Sequence, residues 1–351
     1  MSTQRTGLTT GTCAAAAAKA AAWLLCRNQA VDNVDISLPG GQISRLNIAF
    51  VRATADGAAA GVVKDAGDDP DVTNGSTVVV SLRWQSEGDV TFFAGEGVGT
   101  VTKPGLQIPP GEPAVNPVPR RMIRDAIRQV SSKPVAVTIS IPGGRELAAQ
   151  TFNPRLGIEG GLSILGTTGI VRPRCTKALR DALKCALDVA TACHINFPVL
   201  VPGNIGAKAA RARFTLSPEQ LIEVSNEWGW ILDQMRSSQF YAVLAVGHPG
   251  KLAKLAAGEW DTHSGRSLGA VPFVCGIAES LGQELPSAHE TVEGVFASLS
   301  PAARSDLGAA LATRVREAIA LKLAGRLAVA VLLVNMKGEE LGSSGDFEPW
   351  A

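Results

Sequence analysis

The sequence has few aromatic residues and almost no net charge. Aromatic side chains make up 5% of the 351 residues, with a single tyrosine, and 33 lysines and arginines oppose 32 aspartates and glutamates, which leaves +1. Proteins that bind nucleic acid use aromatic stacking platforms or a strongly basic face. The composition therefore predicts no nucleic-acid partner, and an acidic ligand would have to meet a local group of basic residues.

Metal-binding cysteine pairs and long apolar segments are missing as well. The six cysteines include no CxxC pair and no Cys/His group with metal-site spacing, which predicts reduced thiols, a cytoplasmic protein and no protein-bound metal. The most apolar run, Leu327 to Val334, is too short to span a bilayer, so no membrane partner is expected. Cys13, beside a predicted helix N-terminus, is either an activated thiol or a buried small residue.

Glycine and proline are abundant, and their positions divide the chain. A chain of this length suggests roughly two domains at about 150 residues each. From Val34 to Phe93, short β-branched runs alternate with Gly-Gly, Asp-Gly and Asn-Gly turns, which is typical of antiparallel sheet. After Pro154 the order becomes strand, loop, helix. We therefore predict a two-domain α+β / α/β protein: an α+β domain with a mostly antiparallel sheet over residues 1–155, and a Rossmann-like α/β domain with a small parallel sheet over residues 156–351.

Several elements can be predicted with their bounds. The Ala-rich stretch after Thr12 predicts a helix over residues 13–27 with Thr12 as its N-cap. Apolar runs predict strands, and a periodicity of three to four residues predicts helices. The predicted strands after residue 140 are 146–152, 162–165, 198–201, 242–246 and 327–334, and the predicted helices are 118–130, 177–192, 218–237, 250–257 and a long stretch before Arg326.

Three Gly-rich loops follow predicted parallel strands, at the edge where open α/β sheets bind ligands. None has the full dinucleotide-binding or P-loop pattern, which leaves adenosyl ligands without phosphate. His248 and Lys251, in the last loop, either meet a ligand carboxylate at a helix N-terminus or cap the helix and face solvent. The predicted cofactor-binding residues in the three loops are Gly166, Thr167, Thr168, Gly169, Gly203, Asn204, Gly247 and Gly250.

Three charged or Gly-rich segments in the first domain have two interpretations each. The acidic turn from Lys64 to Asp71 either supplies a general base or a cation site, or is an Asx-rich turn without a ligand. The loop from Gly95 to Thr100 either cradles phosphate, as in a small-molecule kinase, or is a Gly-rich hairpin. The arginines at every fourth position from Arg120 to Arg128 form either an anion site or a solvated helix face.

Taken together, these segments resemble the cobalt-precorrin-5B C(1)-methyltransferase (CbiD) family. The matching blocks occur in order along the first three quarters of the chain, and their joint occurrence is highly specific. They are GLTTGTCA at 7–14, VKDAGDDPD at 63–71, GEGVG at 95–99, KPGL at 103–106, GEPAVNPVPR at 111–120, GLSILGTTGIV at 161–171, GHPGKLAKLA at 247–256 and THS at 262–264.

The resemblance implies transfer of a methyl group from S-adenosyl-L-methionine to carbon 1 of cobalt-precorrin-5B, which gives cobalt-precorrin-6A in anaerobic cobalamin biosynthesis. The acceptor is itself an electron-rich carbon, so no covalent nucleophile is needed, and good orientation contributes on the order of 7–11 kcal/mol. The ring also carries many carboxylates for basic residues to bind. The candidate catalytic residues are Asp65, Glu96, His248 and His263, and the predicted substrate-binding residues are Thr9, Thr10, Thr12, Lys103, Arg120, Arg124 and Lys251.

Two other functions remain open from the residues alone. One is a small-molecule kinase that uses the loop from Gly95 to Thr100, and the other is a non-catalytic corrinoid-binding scaffold. For the methyltransferase, the expected partner is a small-molecule cobalt-corrinoid, and the cobalt belongs to this substrate. A homo-oligomer, or transient contact with neighbouring enzymes of the pathway, is left open.

Overall fold

The computed structural model describes residues 4–173, 176–285 and 289–351. The chain divides into two compact units, an N-terminal unit up to Thr176 and a C-terminal unit from Lys177. The sequence predicts its domain boundary earlier, at 155/156. Residues 156–173 add two short strands that pair within the N-terminal unit, so this unit extends past the predicted boundary. Whether the chain to residue 155 is a domain in its own right stays a prediction.

The N-terminal unit is built on a five-stranded sheet. The strands of the whole unit are β1 (Gly7–Leu8), β2 (Asn33–Ser37), β3 (Ile43–Asn47), β4 (Phe50–Thr54), β5 (Gly57–Val63), β6 (Thr77–Trp84), β7 (Val90–Ala94), β8 (Thr100–Val101), β9 (Val135–Ser140), β10 (Ile158–Glu159) and β11 (Ile170–Val171). Its helices are α1 (Thr10–Arg27), α2 (Pro117–Arg128) and α3 (Gly144–Ala148). The sheet order is β4-β5-β6-β9-β7, antiparallel except for the β7–β9 pair. This confirms the predicted α+β class with a mostly antiparallel sheet.

Helix α1 is the core of this unit, and it lies against β5, β6 and α2. Its alanines from Ala14 to Ala21 are fully buried, because a side chain of one carbon lets strands and helix approach closely while favouring the helix. The predicted N-cap at Thr12 is wrong. The Thr9 hydroxyl accepts a hydrogen bond from the Thr12 amide at 3.2 Å, and the helix begins at Thr10.

The C-terminal unit has a parallel sheet with helices around it. Its strands are β12 (Val199–Val201), β13 (Leu221–Glu223), β14 (Ala242–Gly247), β15 (Ala328–Val334) and β16 (Glu340–Ser344), and its helices are α4 (Thr176–Ala192), α5 (Asn204–Arg213), α6 (Trp228–Met235), α7 (Pro249–Ala256), α8 (Val271–Ser280), α9 (Val292–Ser298) and α10 (Pro301–Lys322). The order is β13-β12-β14-β15-β16, parallel except for β16 at the edge. The predicted parallel α/β class is confirmed.

Three predicted elements are wrong. Residues 162–165 are not a strand of the parallel sheet: they make single bridges to Val98 and Val115 inside the N-terminal unit. Residues 146–152 are not a strand: residues 146–148 belong to α3, whose first residue, Gly144, packs closely against the backbone of Gly97. Residues 218–237 contain β13 before α6. This strand is three residues long, with Ile222 buried, and a buried run this short has no periodicity that separates strand from helix.

Among the helices in the part of the chain that the structure describes, none is long and apolar enough to cross a membrane. The described cysteines, Cys13, Cys26, Cys185, Cys193 and Cys275, are free thiols. Cys175 lies outside the described residues.

Candidate functional site

The carboxyl edge of the parallel sheet contains a topological switch point. The chain passes from β12 to β13 on one side and then crosses to β14 on the other side of β12. Loops that leave two adjacent strands in opposite directions open a crevice between them, where open α/β sheets bind ligands. Gly203 lies in the loop after β12 and Asn204 begins α5, whereas Gly247 ends β14 and Gly250 lies in the first turn of α7. The structure thus brings these four predicted cofactor-binding residues to one edge.

Close backbone packing holds the two loops together. A Cβ atom on Gly247 would lie 2.8 Å from the ring of Pro202, and one on Gly206 would lie 2.3 Å from the carbonyl oxygen of Val246. Both positions therefore require glycine. Gly203 differs, because beyond its chain neighbours a Cβ atom there would meet only Oε1 of Glu223, at 3.8 Å, among the residues that the structure describes. The Cα of Gly203 therefore faces open space beside a carboxylate.

The loop after β13 adds a polar network that sequence reasoning did not find. Asn226 Oδ1 accepts hydrogen bonds from the ammonium of Lys251 and, at 3.2 Å, from the hydroxyl of Thr262. The buried carboxylate of Glu227 pairs with Arg180 at 2.7 Å. These bonds tie the loop after β13 to helices α4 and α7.

Two lysines on α7 carry positive charge into this network. Lys254 is 6% exposed, and its Nζ donates to Ser267 Oγ at 2.7 Å and to the carbonyl oxygen of Thr262 at 3.4 Å. Burial, and then the charge of Lys254, lower the pKa of Lys251. Across residues 4–173, 176–285 and 289–351, neither ammonium forms an ion pair with a carboxylate. The charge of Asp261 opposes this lowering of the Lys251 pKa, but the Asp261 carboxylate pairs with Arg266 at 2.6 Å. A carboxylate ligand would therefore find two cations without an ion-pair partner.

The two candidate histidines have similar local bonding. His248 caps α7, since its Nδ1 accepts from the Gly250 amide at 3.0 Å, and its Nε2 lies 2.8 Å from Oε2 of Glu293. His263 is exposed, and its Nδ1 accepts from the Gly265 amide at 3.0 Å. An imidazole that accepts at Nδ1 carries its proton at Nε2 when neutral. Neither histidine therefore presents a free lone pair in this arrangement.

The predicted cofactor loop from Gly166 to Gly169 lies elsewhere, in the N-terminal unit beside the start of α1. It does not follow a parallel strand, so the reason for assigning Gly166, Thr167, Thr168 and Gly169 to the cofactor is wrong. A Cβ atom on Gly166 would lie 2.3 Å from the hydroxyl of Thr9. Glycine therefore allows this loop to approach the helix.

The predicted substrate-binding threonines are the other side of this contact. Thr9, Thr10 and Thr12 are all buried. The Thr12 hydroxyl donates to the carbonyl oxygen of Gly169 at 2.8 Å, and the Thr10 hydroxyl accepts from the Leu165 amide at 3.0 Å. The hydroxyls of Thr10 and Thr12 therefore fix the loop in place, the Thr9 hydroxyl bonds to Thr12, and substrate binding by the three residues stays a prediction.

The acidic turn is also held by its own contacts. Lys64, 1% exposed, pairs with Asp71 at 2.7 Å. Asp65 is exposed and borders a cavity of about 330 Å³. Hydrogen bonds from Arg5 and from the Gly67 amide lower the pKa of Asp65, which makes this carboxylate a weaker base. Within the described ranges, no group of three or more His, Cys, Asp or Glu side chains is placed to hold a metal ion.

The backbone amides of the loop from Gly95 to Thr100 donate hydrogen bonds within the protein. The amides of Gly95, Val98 and Gly99 donate to backbone carbonyls of the same unit. A Cβ atom on Gly97 would lie 1.9 Å from the carbonyl oxygen of Ile141. Glycine therefore serves chain packing here, and nothing favours the phosphate-binding interpretation behind the kinase alternative. Glu96 in this loop is exposed.

The arginines of α2 have carboxylate partners. Arg120 pairs with Glu112 at 2.9 Å and donates to the carbonyl oxygen of Val115, and both Arg124 and Arg128 pair with Asp89. An anionic ligand would have to share these guanidinium groups with carboxylates already present.

Two further predicted residues have local explanations. The half-buried side chain of Lys103 packs over Gly157. Cys13 is 1% exposed, and burial raises its pKa to about 12, so the buried-residue interpretation is confirmed.

Sequence reasoning missed Glu223, Asn226, Lys254 and Ser267. Lys254 could have been found, because it follows Lys251 by three residues and so shares its helix face. Glu223 was hidden because β13 was predicted as helix, which removed the strand end from view. The partners of Asn226 and Ser267 are set by the fold and have no local signal.

Comparison with known proteins places the chain in a family. The CbiD family model matches residues 1–173. The chain is 50% identical over 345 residues, 98% of either chain, to the cobalt-precorrin-5B C(1)-methyltransferase of Syntrophotalea carbinolica, and 40% identical to that of Moorella thermoacetica, over 96% of this chain and 94% of the relative. It is 31% identical to the cobalamin biosynthesis protein CbiD of Archaeoglobus fulgidus, whose crystal structure matches with a TM-score of 0.41 over 75% of this chain and 83% of the other. The chain belongs to the cobalt-precorrin-5B C(1)-methyltransferase (CbiD) family.

Proposed function

We propose that this protein transfers a methyl group from S-adenosyl-L-methionine to carbon 1 of cobalt-precorrin-5B, and so acts in anaerobic cobalamin biosynthesis. The observation that carries the proposal is the 50% identity, over 98% of the chain, to a cobalt-precorrin-5B C(1)-methyltransferase. A family of this name needs a methyl donor and a corrinoid acceptor. The cobalt is part of the acceptor.

We assign the donor to the crevice between β12 and β14. When bound, it supplies an electrophilic methyl group on a sulfonium. Gly203, Asn204, Gly247 and Gly250 would hold it: Gly203 faces open space and leaves its backbone accessible to a ligand, and the other three lie at the same edge of the sheet. The glycines at 206 and 247 are already tightly packed, which fixes the two loops as a rigid frame.

The acceptor carries several carboxylates, and Lys251 and Lys254 are the basic groups best suited to bind one. Both lack an ion-pair partner within the described ranges, and burial of Lys254 removes competing water, which strengthens a charge-assisted hydrogen bond. The arginines of α2 are paired already. We therefore assign the first contact with the acceptor to the lysines of α7.

Orientation contributes most of the catalysis in this proposal. Methyl transfer to an electron-rich carbon needs the two reacting atoms in line, and a base only to remove a proton as charge redistributes. His248 and His263 each accept a hydrogen bond at Nδ1, and the low pKa of Asp65 disfavours proton uptake. We propose that the proton leaves to solvent, and that His248 positions the loop after β14.

The test is anaerobic incubation of the purified protein with methyl-labelled S-adenosyl-L-methionine and cobalt-precorrin-5B. We expect one labelled methyl group at carbon 1 of the product. Label at another carbon, or ring binding without label, would contradict the proposal, and the second result would favour a corrinoid-binding scaffold. Replacing the donor with ATP tests the kinase alternative in the same assay.

A matched pair of variants connects the activity to the crevice. Gly203→Val should abolish transfer, because the backbone of Gly203 is extended and tolerates a side chain that would fill the space next to Glu223. Gly276→Ala, on α8, should leave transfer unchanged, because no atom of the described part of the chain lies within 4 Å of its Cβ position.

We also propose that the enzyme works in the cytoplasm, either as a homo-oligomer or through transient contact with neighbouring enzymes of the pathway. Cell fractionation and light scattering of the purified protein test these two points.

A further inference from the structure

The carboxylate of Glu223 occupies a distinctive position at the carboxyl edge of the parallel sheet. Glu223 is the last residue of β13 and pairs in parallel register with Val201, the last residue of β12. Gly203 follows two residues after Val201. The carboxylate oxygen Oε1 lies 3.8 Å from the Cβ position of Gly203, and apart from the chain neighbours of Gly203 no other atom of the described residues lies within 4 Å of that position. Glu223 therefore borders the open space at Gly203.

Gly203 and Glu223 belong to one strand–turn–helix–strand unit. The unit consists of β12, a turn that contains Gly203, α5, and β13, which ends at Glu223. Gly203 opens the turn before α5, and Glu223 follows it after 20 residues, counted from the two residue numbers. In open α/β sheets that bind adenosyl cofactors, an acid about 20 residues after the glycine turn accepts a hydrogen bond from the ribose. For the acid to lie beside the glycine turn, the two strands need only be adjacent and parallel, as β12 and β13 are.

The chemistry of the position selects a diol and disfavours a phosphate. A carboxylate is an acceptor with two oxygens, and the adjacent 2′- and 3′-hydroxyls of ribose are two donors at matching separation. Its negative charge opposes a phosphate at the same turn. The carboxylate therefore favours a neutral nucleoside at this turn, while the ammonium of Lys251 donates to Asn226 and that of Lys254 donates to Ser267.

The loop after β13 is also constrained. Ser225, two residues after Glu223, has φ 57°, a conformation that residues other than glycine rarely adopt. Asn226 and Glu227 are then fixed by Lys251 and Arg180. A strained loop held by several side chains keeps the end of β13 in one position, which a binding group needs.

We propose that Glu223 binds the ribose 2′- and 3′-hydroxyls of the methyl donor. This inference rests on the proposed function, since it takes the donor to be an adenosyl compound. Glu223 is a binding residue in this proposal and takes no part in the transfer of the methyl group.

The test is calorimetric titration of the full-length protein with S-adenosylhomocysteine and with its 2′-deoxy analogue. For the wild-type protein, we expect the analogue to bind about 10–100-fold more weakly, because a charge-assisted hydrogen bond is lost. Glu223→Gln should weaken S-adenosylhomocysteine binding by a similar factor, and this variant should distinguish the two ligands by less than about threefold. Glu317→Gln, on the exposed face of α10, should bind both ligands as the wild type does.

Several outcomes would overturn the inference. Equal affinity of the wild-type protein for both ligands would do so, and so would undiminished discrimination by Glu223→Gln. If either result came with methyl transfer from S-adenosyl-L-methionine to carbon 1 intact, only the role of Glu223 would fail. Absence of both S-adenosylhomocysteine binding and methyl transfer in the wild-type protein would overturn the proposed function as well. If Glu223→Gln fails to fold, as a melting curve would reveal, the two ligands titrated into the wild-type protein decide the question.

Discussion

Gly-rich loops occur in both units, and they do different things. In the N-terminal unit, Gly97 and Gly166 are glycines because another part of the chain occupies the space of a side chain. In the C-terminal unit, Gly247 is packed in the same way, but Gly203 faces open space beside a carboxylate. Gly97, Gly166 and Gly247 thus support the fold, whereas Gly203 leaves room for a ligand beside the carboxylate of Glu223.

The buried lysines repeat this contrast. Lys64 in the N-terminal unit has the carboxylate of Asp71 as its partner, whereas Lys254 in the C-terminal unit has a hydroxyl and a backbone carbonyl. A buried charge with a counter-ion is complete without a ligand, and one with neutral partners gains from an anion. Both contrasts favour the C-terminal unit as the ligand-binding part of the chain, and three predictions test them.

The largest expected effect is on stability, from a methyl group added to a packed glycine. Gly97 and Gly143 have nearly the same φ, 71° and 73°. A Cβ atom on Gly97 would lie 1.9 Å from the Ile141 oxygen, while one on Gly143 would have no neighbour within 4 Å among the described residues. Gly143→Ala should lower the free energy of unfolding by about 1 kcal/mol, because alanine is strained in the left-handed backbone conformation. Gly97→Ala should lose about 3–4 kcal/mol, since overpacking adds to the same strain.

Calorimetric unfolding of the full-length protein measures both glycine variants. Equal losses would mean that the backbone near Ile141 relaxes freely and that packing does not require glycine at position 97. Gly203→Ala serves as the counterpart in the C-terminal unit. It should change the free energy of unfolding by less than about 0.5 kcal/mol, the range typical of substitutions away from packed features, while weakening S-adenosylhomocysteine binding.

The next largest effect is also on stability, and it comes from removing the charge of each buried lysine. Lys64→Met leaves Asp71 without its counter-ion in a partly buried site and should cost about 3 kcal/mol. Lys254→Met removes a buried charge that has only neutral partners, so we expect a change within about 1 kcal/mol. The same variant should raise KM for the corrinoid. Denaturant unfolding and steady-state assays measure the pair, and a larger stability loss for Lys254→Met than for Lys64→Met would refute the contrast.

The smallest expected effect concerns the pH dependence of acceptor binding. Burial and the charge of Lys254 lower the pKa of Lys251. Only the ammonium form attracts a carboxylate, so KM for the corrinoid should rise as the pH rises through this lowered pKa. Lys254→Met removes one of the two causes and should move the rise to higher pH.

Loss of the Lys251 charge, as the pH rises from below to above this pKa, should raise KM about two- to fivefold, as for one partly exposed ion pair. Lys251→Met should abolish the pH-dependent rise, and Lys184→Met, an exposed lysine of α4 paired with Asp188, should leave it as in the wild type. A rise that persists in Lys251→Met would assign it to another group.

Local sequence patterns were enough for most of the fold. The Ala-rich run predicted α1, and the compact apolar runs predicted β14 and β15, because helix propensity and buried parallel strands have distinct patterns within ten or twenty residues. The wrong elements share a cause. Residues 162–165 and β13 are apolar runs of three or four residues, too short for periodicity, and their states are set by which distant backbone they meet.

The sequence by itself determined the two fold classes, the family and the edge of the sheet that carries the C-terminal Gly-rich loops. It could not determine which Gly-rich loops are filled by the protein's own chain, because the atom that meets Gly97 comes from Ile141 and the one near Gly203 from Glu223. Nor could it separate Lys64 from Lys254, since burial and ionic partners depend on the packing around each ammonium. Local sequence patterns predict individual helices and strands. A binding site depends on the distances between elements, and only the tertiary structure fixes those distances.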